Sequence, residues 1–214
     1  MDADFWHQKW AAGETAFHKS EANPLLIGNF DKLNMAEGCR IFLPLCGKTH
    51  DLAWLLGRGY RVVGVELSEL AINELFNELG VVPEIVKVGE VAHYSAKNID
   101  IFVGDFFHVS ADLLGAVDAI YDRAALVALP AAMRKEYISH LTAITDSAPQ
   151  LLITYVYDQQ LIDGPPFSVS DAEVRQHYSA VYKLKPVERE SIEKGLKGKA
   201  DSTETVWLLE KLTR

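Results

Sequence analysis

The 214-residue chain is predicted to be an α/β protein: an open, mostly parallel sheet of seven strands with helices on both faces, a terminal antiparallel hairpin and an N-terminal helical arm. Three observations lead there. After residue 38, short β-branched runs alternate with segments of helical period, which is how a parallel sheet under covering helices reads in sequence. The first forty residues stand outside that alternation and are rich in aromatics. Composition is that of a globular domain, with 49% hydrophobic and 24% charged residues and no repeat or low-complexity tract. The expected organisation is one domain over 1–214, with 1–38 as an arm or lid and 39–214 as the core.

In the arm, Trp6 and Trp10 are four residues apart and share one face of a helix, and Asn23-Pro24 opens a second helix with its cap and first-turn proline in place. The first strand is Arg40–Leu45, followed by a helix over Asp51–Leu56 that Thr49 caps and Gly57 and Gly59 end. Arg61–Glu66 is a buried-strand run finishing in a carboxylate, with Ser68 as the cap of an amphipathic helix over Ala71–Leu79. Pro83–Asp105 reads as two or three strands, with Glu84–Val88 and Ile99–Val103 separated by a polar turn around Ser95–Asn98. Val117–Tyr121 leads through Asp122-Arg123 to a helix opened by Pro130 and covering Met133–Thr145. Leu151–Tyr157 is the fifth parallel strand. Beyond it come a stiff loop, Gly164-Pro-Pro-Phe167, and a capping box, Ser170-Asp-Ala-Glu173, for a helix to about Tyr182. Leu184–Ile192 and Thr205–Leu212 complete the hairpin.

Several function classes are disfavoured at once. With 21 basic against 30 acidic residues the net charge is −9, which repels a phosphate backbone, so no nucleic-acid partner is expected. Two cysteines, Cys39 and Cys46, are too few for a disulfide framework or a structural zinc site. No run approaches 18 apolar residues and the N-terminus has no leader pattern, so the expectation is a cytoplasmic chain with no membrane partner, monomeric for want of an exposed heptad.

Ligands of open parallel sheets bind beyond the carboxyl ends of the strands. Glu66 closes the second strand nineteen positions after Gly47, about the spacing at which an acid meets ribose hydroxyls in nucleotide-binding units. A solvated acid at a strand end is the plain alternative. The first turn, Pro44-Leu-Cys-Gly-Lys-Thr49, has one glycine where a pyrophosphate site wants three, and it is not a P-loop. A nucleoside without phosphates suits it better, and S-adenosylmethionine is such a ligand. Asp105-Phe106 offers an acceptor and an aromatic face for adenine, and Arg123 a planar fork for a carboxylate, though Asp122-Arg123 also reads as a surface ion pair.

Taken together, Phe5–Trp10 with Phe17-His18, Leu43-Pro-Leu-Cys-Gly-Lys48, Gly64-Val-Glu-Leu-Ser68, Tyr121-Asp-Arg-Ala-Ala-Leu-Val127 and Gly164-Pro-Pro-Phe167 give the chain a resemblance to the thiopurine S-methyltransferase family, over nearly its whole length. The resemblance implies a Rossmann-like class I methyltransferase fold and methyl transfer from S-adenosyl-L-methionine to aromatic or heterocyclic thiols, with selenium and tellurium species as further acceptors. It implies that Trp10, Leu45, Glu66 and Arg123 contact the cofactor, that Asp105 and Phe106 line its adenine end, and that Phe17 and Pro165-Pro166 wall the acceptor pocket. The family's late basic residue has candidates in Lys194, Lys197 and Lys199. The chain departs from relatives of the mammalian enzyme at Ser170, near which they carry proline.

The expected chemistry is an in-line displacement by an acceptor thiolate, needing alignment in a water-poor pocket more than a strong base. Arg123 is the candidate to bias a nearby acceptor toward its anion. Other readings are a halide or small-thiol methyltransferase, a non-catalytic S-adenosylmethionine sensor, which has little use for the Gly164–Phe167 loop, and a nicotinamide oxidoreductase, which would want the missing glycines.

Overall fold

The computed structural model describes residues 3–15, 18–193 and 195–212. The chain divides into two compact units, Met1–Gly28 with Met35–Asp118 and Asn29–Asn34 with Ala119–Arg214. Five strands stand side by side in the first, in the order 84–88, 91–96, 99–103, 61–66 and 40–43, and four in the second, in the order 119–123, 150–157, 202–211 and 182–191, nine strands among the described residues. The expected seven is thus corrected to nine.

The first unit opens with α1 (Ala3–Ala11) and α2 (Pro24–Asn29), the latter capped where Asn23 Oδ1 accepts from Leu25 N at 2.8 Å. The parallel strands are β1 (Arg40–Leu43), β2 (Arg61–Glu66) and, past the antiparallel pair β3 (Glu84–Val88) and β4 (Val91–Ala96), β5 (Ile99–Val103). Register places Phe42 beside Val63 and Glu66 beside Val103, so β2 and β5 end together. Between them α3 (His50–Gly57) starts where Thr49 accepts from Asp51 N, and α4 (Glu69–Leu79) where Ser68 accepts from Ala71 N. Gly80, at φ +67°, ends α4. Leu52 and Leu55 of α3 and Ile72, Leu75 and Phe76 of α4 are buried, as are Val62, Val63 and Val65 of β2, which both helices pack against. A short α5 (Ala111–Leu114) closes the unit.

β4 is the third strand of this stretch, and it runs into what reads as a polar turn at Ser95 and Ala96. It pairs antiparallel with both β3 and β5, so its backbone groups are satisfied on two sides even though Ala92, His93, Ser95 and Ala96 are not core residues. β3 is then the outer strand, exposed along its length and carrying Glu84 and Lys87, which discourage pairing with other chains.

In the second unit, β6 (Ala119–Arg123) and β7 (Gln150–Tyr157) are parallel, joined through α6 (Ala131–Ile144), with Pro130 at its N-cap. After α7 (Asp171–Tyr178), β8 (Tyr182–Ser191) and β9 (Ser202–Lys211) form the hairpin, and β9 pairs antiparallel with β7. Ser170 does accept from Glu173 N, but the reciprocal half of the capping box is absent: the Glu173 carboxylate takes Arg134 instead, at 2.6 Å. α7 stops at Tyr178 because Tyr182 already begins β8.

Candidate active site

In the first unit three strand ends carry the candidate cofactor residues. β1 runs into Pro44-Leu45-Cys46-Gly47, where Leu45 and Gly47 have φ of +47° and +53°. Left-handed backbone costs an L-residue about 1–2 kcal/mol, so neighbouring contacts must hold this turn. Cys46 N donates to Val65 O at 3.0 Å, and Gly47 N donates to Glu66 Oε2 at 2.8 Å. Glu66 Oε1 accepts from Ser68 N, also at 2.8 Å. The carboxylate therefore sits at the tip of β2, 6% exposed, bridging the turn after β1 to the start of α4. Burial pushes its carboxyl above the ordinary range, and the amides of Ser68, Gly47 and Leu67 pull it back. A carboxylate can accept about four hydrogen bonds, so capacity remains for hydroxyl donors.

Two glycines let this corner close. A Cβ at Gly47 would lie 3.0 Å from Trp10 Cζ2, so the indole of α1 rests on the turn itself and is 6% exposed. A Cβ at Gly64 would lie 2.8 Å from Cys46 Sγ, and burial, then the nearby Glu66 charge, pushes that thiol well up. At the end of β5, Asp105 Oδ1 accepts from Phe107 N at 3.0 Å, starting a single 3-10 turn. Phe106 is 1% exposed within the core; Phe107, half-buried and edge-on to it at 5.5 Å, is the more accessible ring. Trp10, Leu45 and Glu66 are thus brought to one turn, and Asp105 lies at the end of the strand beside Glu66's. Phe17 and Lys194 fall outside the described residues.

In the second unit, Asp122 and Arg123 end β6 and Ala124 turns at φ +64°. Asp122 is no surface ion partner. It is fully buried, accepting from Leu126 N at 3.1 Å and from the Tyr137 hydroxyl at 2.8 Å, so it fixes the turn that follows Arg123. Burial pushes its carboxyl up to about 6 against the hydrogen bonds that favour its charge. Arg123 is half-buried, and its charge and that of Glu204 both act on the Tyr155 phenol; burial, then the Glu204 carboxylate, push the phenol up and Arg123 opposes them.

The Gly164-Pro165-Pro166-Phe167 loop is tied down residue by residue. The Tyr157 hydroxyl donates to Pro166 O at 2.5 Å and Lys197 Nζ to Pro165 O at 2.9 Å. Gln159 Nε2 donates to Tyr157 Oη and to Ile162 O, while its Oε1 accepts from Ser168 N. Phe167 N donates to Val127 O at 2.6 Å, linking the loop to the segment after Arg123. Arg134, 3% exposed, donates to Leu129 O, Ser168 O and Glu173. Sequence reading finds the loop and Lys197 but misses Tyr157, Gln159 and Arg134. An alternating strand end gives no sign that its last tyrosine is a loop anchor, and an arginine in a helix reads as surface.

A parallel sheet with a buried acid at the tip of β2 and a phosphate-free first turn defines the class: an S-adenosylmethionine-dependent methyltransferase of class I. Solved structures share that fold. One is an S-adenosylmethionine-dependent methyltransferase from Anabaena variabilis, at TM-score 0.68 and 13% identity, covering 98% of this chain and 95% of that one. Another is the 1,6-didemethyltoxoflavin-N1-methyltransferase of Burkholderia thailandensis, solved with S-adenosylhomocysteine, at 0.65 and 14%, covering 98% and 87%. The family model for thiopurine S-methyltransferase matches residues 1–212. Relatives named thiopurine S-methyltransferase are 51% identical over 99% of this chain and 100% of theirs in Xanthobacter autotrophicus, and 49% identical over 98% and 97% in Teredinibacter turnerae. The chain belongs to the thiopurine S-methyltransferase family.

Proposed function

We propose that this S-adenosylmethionine-dependent S-methyltransferase uses aromatic and heterocyclic thiols of the thiopurine type as acceptors, with selenium nucleophiles as a second group. The observation that carries this reading is the family match over residues 1–212, which includes every candidate site residue. The donor set of the first unit fits the cofactor: a buried carboxylate with spare acceptor capacity for vicinal hydroxyls, Asp105 for an amino group, and a turn free of phosphate-cradling glycines. When bound, S-adenosylmethionine supplies a methyl group already activated on a sulfonium, so the protein's task is alignment and exclusion of water.

On this reading Glu66 holds the ribose, Trp10 and Leu45 cover the cofactor, Asp105 and the phenylalanines after it take the adenine end, and Arg123 takes the tail carboxylate. Arg123 also favours the anionic form of a nearby acceptor, while Pro165 and Pro166 wall its pocket, held rigid by Tyr157 and Lys197. The relatives' common name favours sulfur over halide acceptors, and the tightly anchored loop favours an enzyme over a sensor. No helix among the described residues is long and apolar enough to cross a membrane.

Transfer of labelled methyl from S-adenosylmethionine to a panel of thiopurines, aryl thiols, hydrosulfide, selenide and halides tests it. Turnover with the aryl and heterocyclic thiols is expected. Tight cofactor binding without turnover on any member, or turnover on halide alone, overturns it. Arg123→Gln should move the acidic limb of the kcat/KM profile for the thiol to higher pH; an unmoved limb removes its role in favouring the anion.

A further inference from the structure

Outside the residues assigned above, one cluster of side chains among the described residues has the chemistry of a ligand set. His18 follows the arm helix, His50 is the first residue of α3, and Glu78 lies in the last turn of α4. One imidazole nitrogen from each histidine and one carboxylate oxygen of Glu78 lie within 4.8 Å of one another. The two rings stack at 5.2 Å between centroids with a 29° tilt.

We infer that His18, His50 and Glu78 form a binding site for a borderline divalent cation of the zinc class. Two neutral imidazoles and a carboxylate suit such an ion, leaving a fourth position for water. Ligand atoms around tetrahedral zinc, bound at about 2.0–2.1 Å, lie about 3.3 Å apart, so closure asks side-chain rotations that bring the three groups about 1 Å closer each. Both rings must also turn out of their near-parallel stack, so that each in-plane lone pair points at a common ion. This movement is assigned to rotation about χ1 and χ2, with the helices that carry His50 and Glu78 kept in place.

The electrostatics around the cluster are compatible with a cation. Lys48, the positive charge bonded to Glu78, is held between Glu74 at 3.0 Å and Glu78 Oε1 at 2.7 Å. That leaves the second oxygen of Glu78 for the ion. Glu78 stands at the C-terminal end of α4, where the helix dipole favours positive charge. An ion here would cross-link the segment after α1 to α3 and α4, elements of one unit, and so fasten the arm.

Tag-free protein titrated with zinc against a chromophoric chelator at pH 7.5 should bind one equivalent. Both His50→Ala and Glu78→Gln should weaken that site about tenfold or more. Cobalt substituted at the site should give visible d–d bands without the near-ultraviolet charge transfer of a thiolate ligand, and Cys39→Ser should leave it intact. Thermal unfolding with zinc should shift upward in the wild type and not in His50→Ala, a difference that loss of folding cannot imitate. No stoichiometric zinc in the wild type, equal affinity in His50→Ala, or a cobalt–thiolate band overturns the proposal. These readouts do not depend on methyl transfer.

Discussion

Replacing Asp122 by asparagine changes a buried acid into an amide of the same size. Its oxygen can still accept from Leu126 N, and its amino group can meet the Tyr137 hydroxyl as an acceptor, so packing is retained. What changes is the titration. In the folded chain the carboxyl titrates near 6, against 3.8 for an exposed aspartate. A difference of about two units at about 1.4 kcal/mol each corresponds to about 3 kcal/mol. Between these values the folded chain binds the proton more tightly than the unfolded one, so the contribution of Asp122 to stability falls as pH rises from about 4 to about 6 and is then constant. Asparagine has no such dependence. Urea unfolding of both proteins at pH 4, 5, 6 and 7.5 should show the variant gaining about 3 kcal/mol on the wild type across the series. Parallel stability curves would mean that burial does not govern this carboxyl, and the account of the turn after β6 would fail with it.

Other consequences can be measured separately. Glu66→Ala should weaken S-adenosylhomocysteine binding in calorimetry by about 1–3 kcal/mol, or about 5- to 150-fold, and lower the unfolding midpoint by releasing the Gly47 and Ser68 amides; unchanged affinity removes the ribose assignment. In Gly47→Ala, a φ of +53° and a Cβ 3.0 Å from the Trp10 ring should together cost about 1–2 kcal/mol, about 2–8 °C in Tm, with a shift in tryptophan emission. If Tm holds, the indole does not rest on the turn. Tyr157→Phe removes the donor to Pro166 and should raise KM for the thiol severalfold at a stability cost of about 1 kcal/mol, with KM for S-adenosylmethionine unchanged. Equal changes in both constants would refute a loop-anchoring role.

The sheet's parallel core was legible because its information is local. Arg61–Glu66 is a run of buried positions ending in an acid, and Thr49, Ser68 and Asn23 cap the helices that their positions promise. Position in the sheet explains what was not. Val91–Ala96 buries only Val91 and Tyr94, so it shows no alternation, and only pairing on both sides makes it a strand. Glu173 is spaced for a capping box, yet a buried guanidinium 39 residues earlier in the chain claims its carboxylate. At the site, Glu66 could be found from spacing and strand position. The anchoring of the Pro165-Pro166 loop could not, because Tyr157, Gln159 and Lys197 act through carbonyl and amide groups that no side-chain pattern encodes.

The thiol of Cys46, packed where a side chain at position 64 would otherwise stand, has a use that its chemistry conceals. Shut away and protonated, it is inert toward alkylating reagents while the corner around it stays closed. Every modification event therefore records a moment when that corner opened, which makes this sulfur a clock for the breathing of the place where the cofactor is to be held.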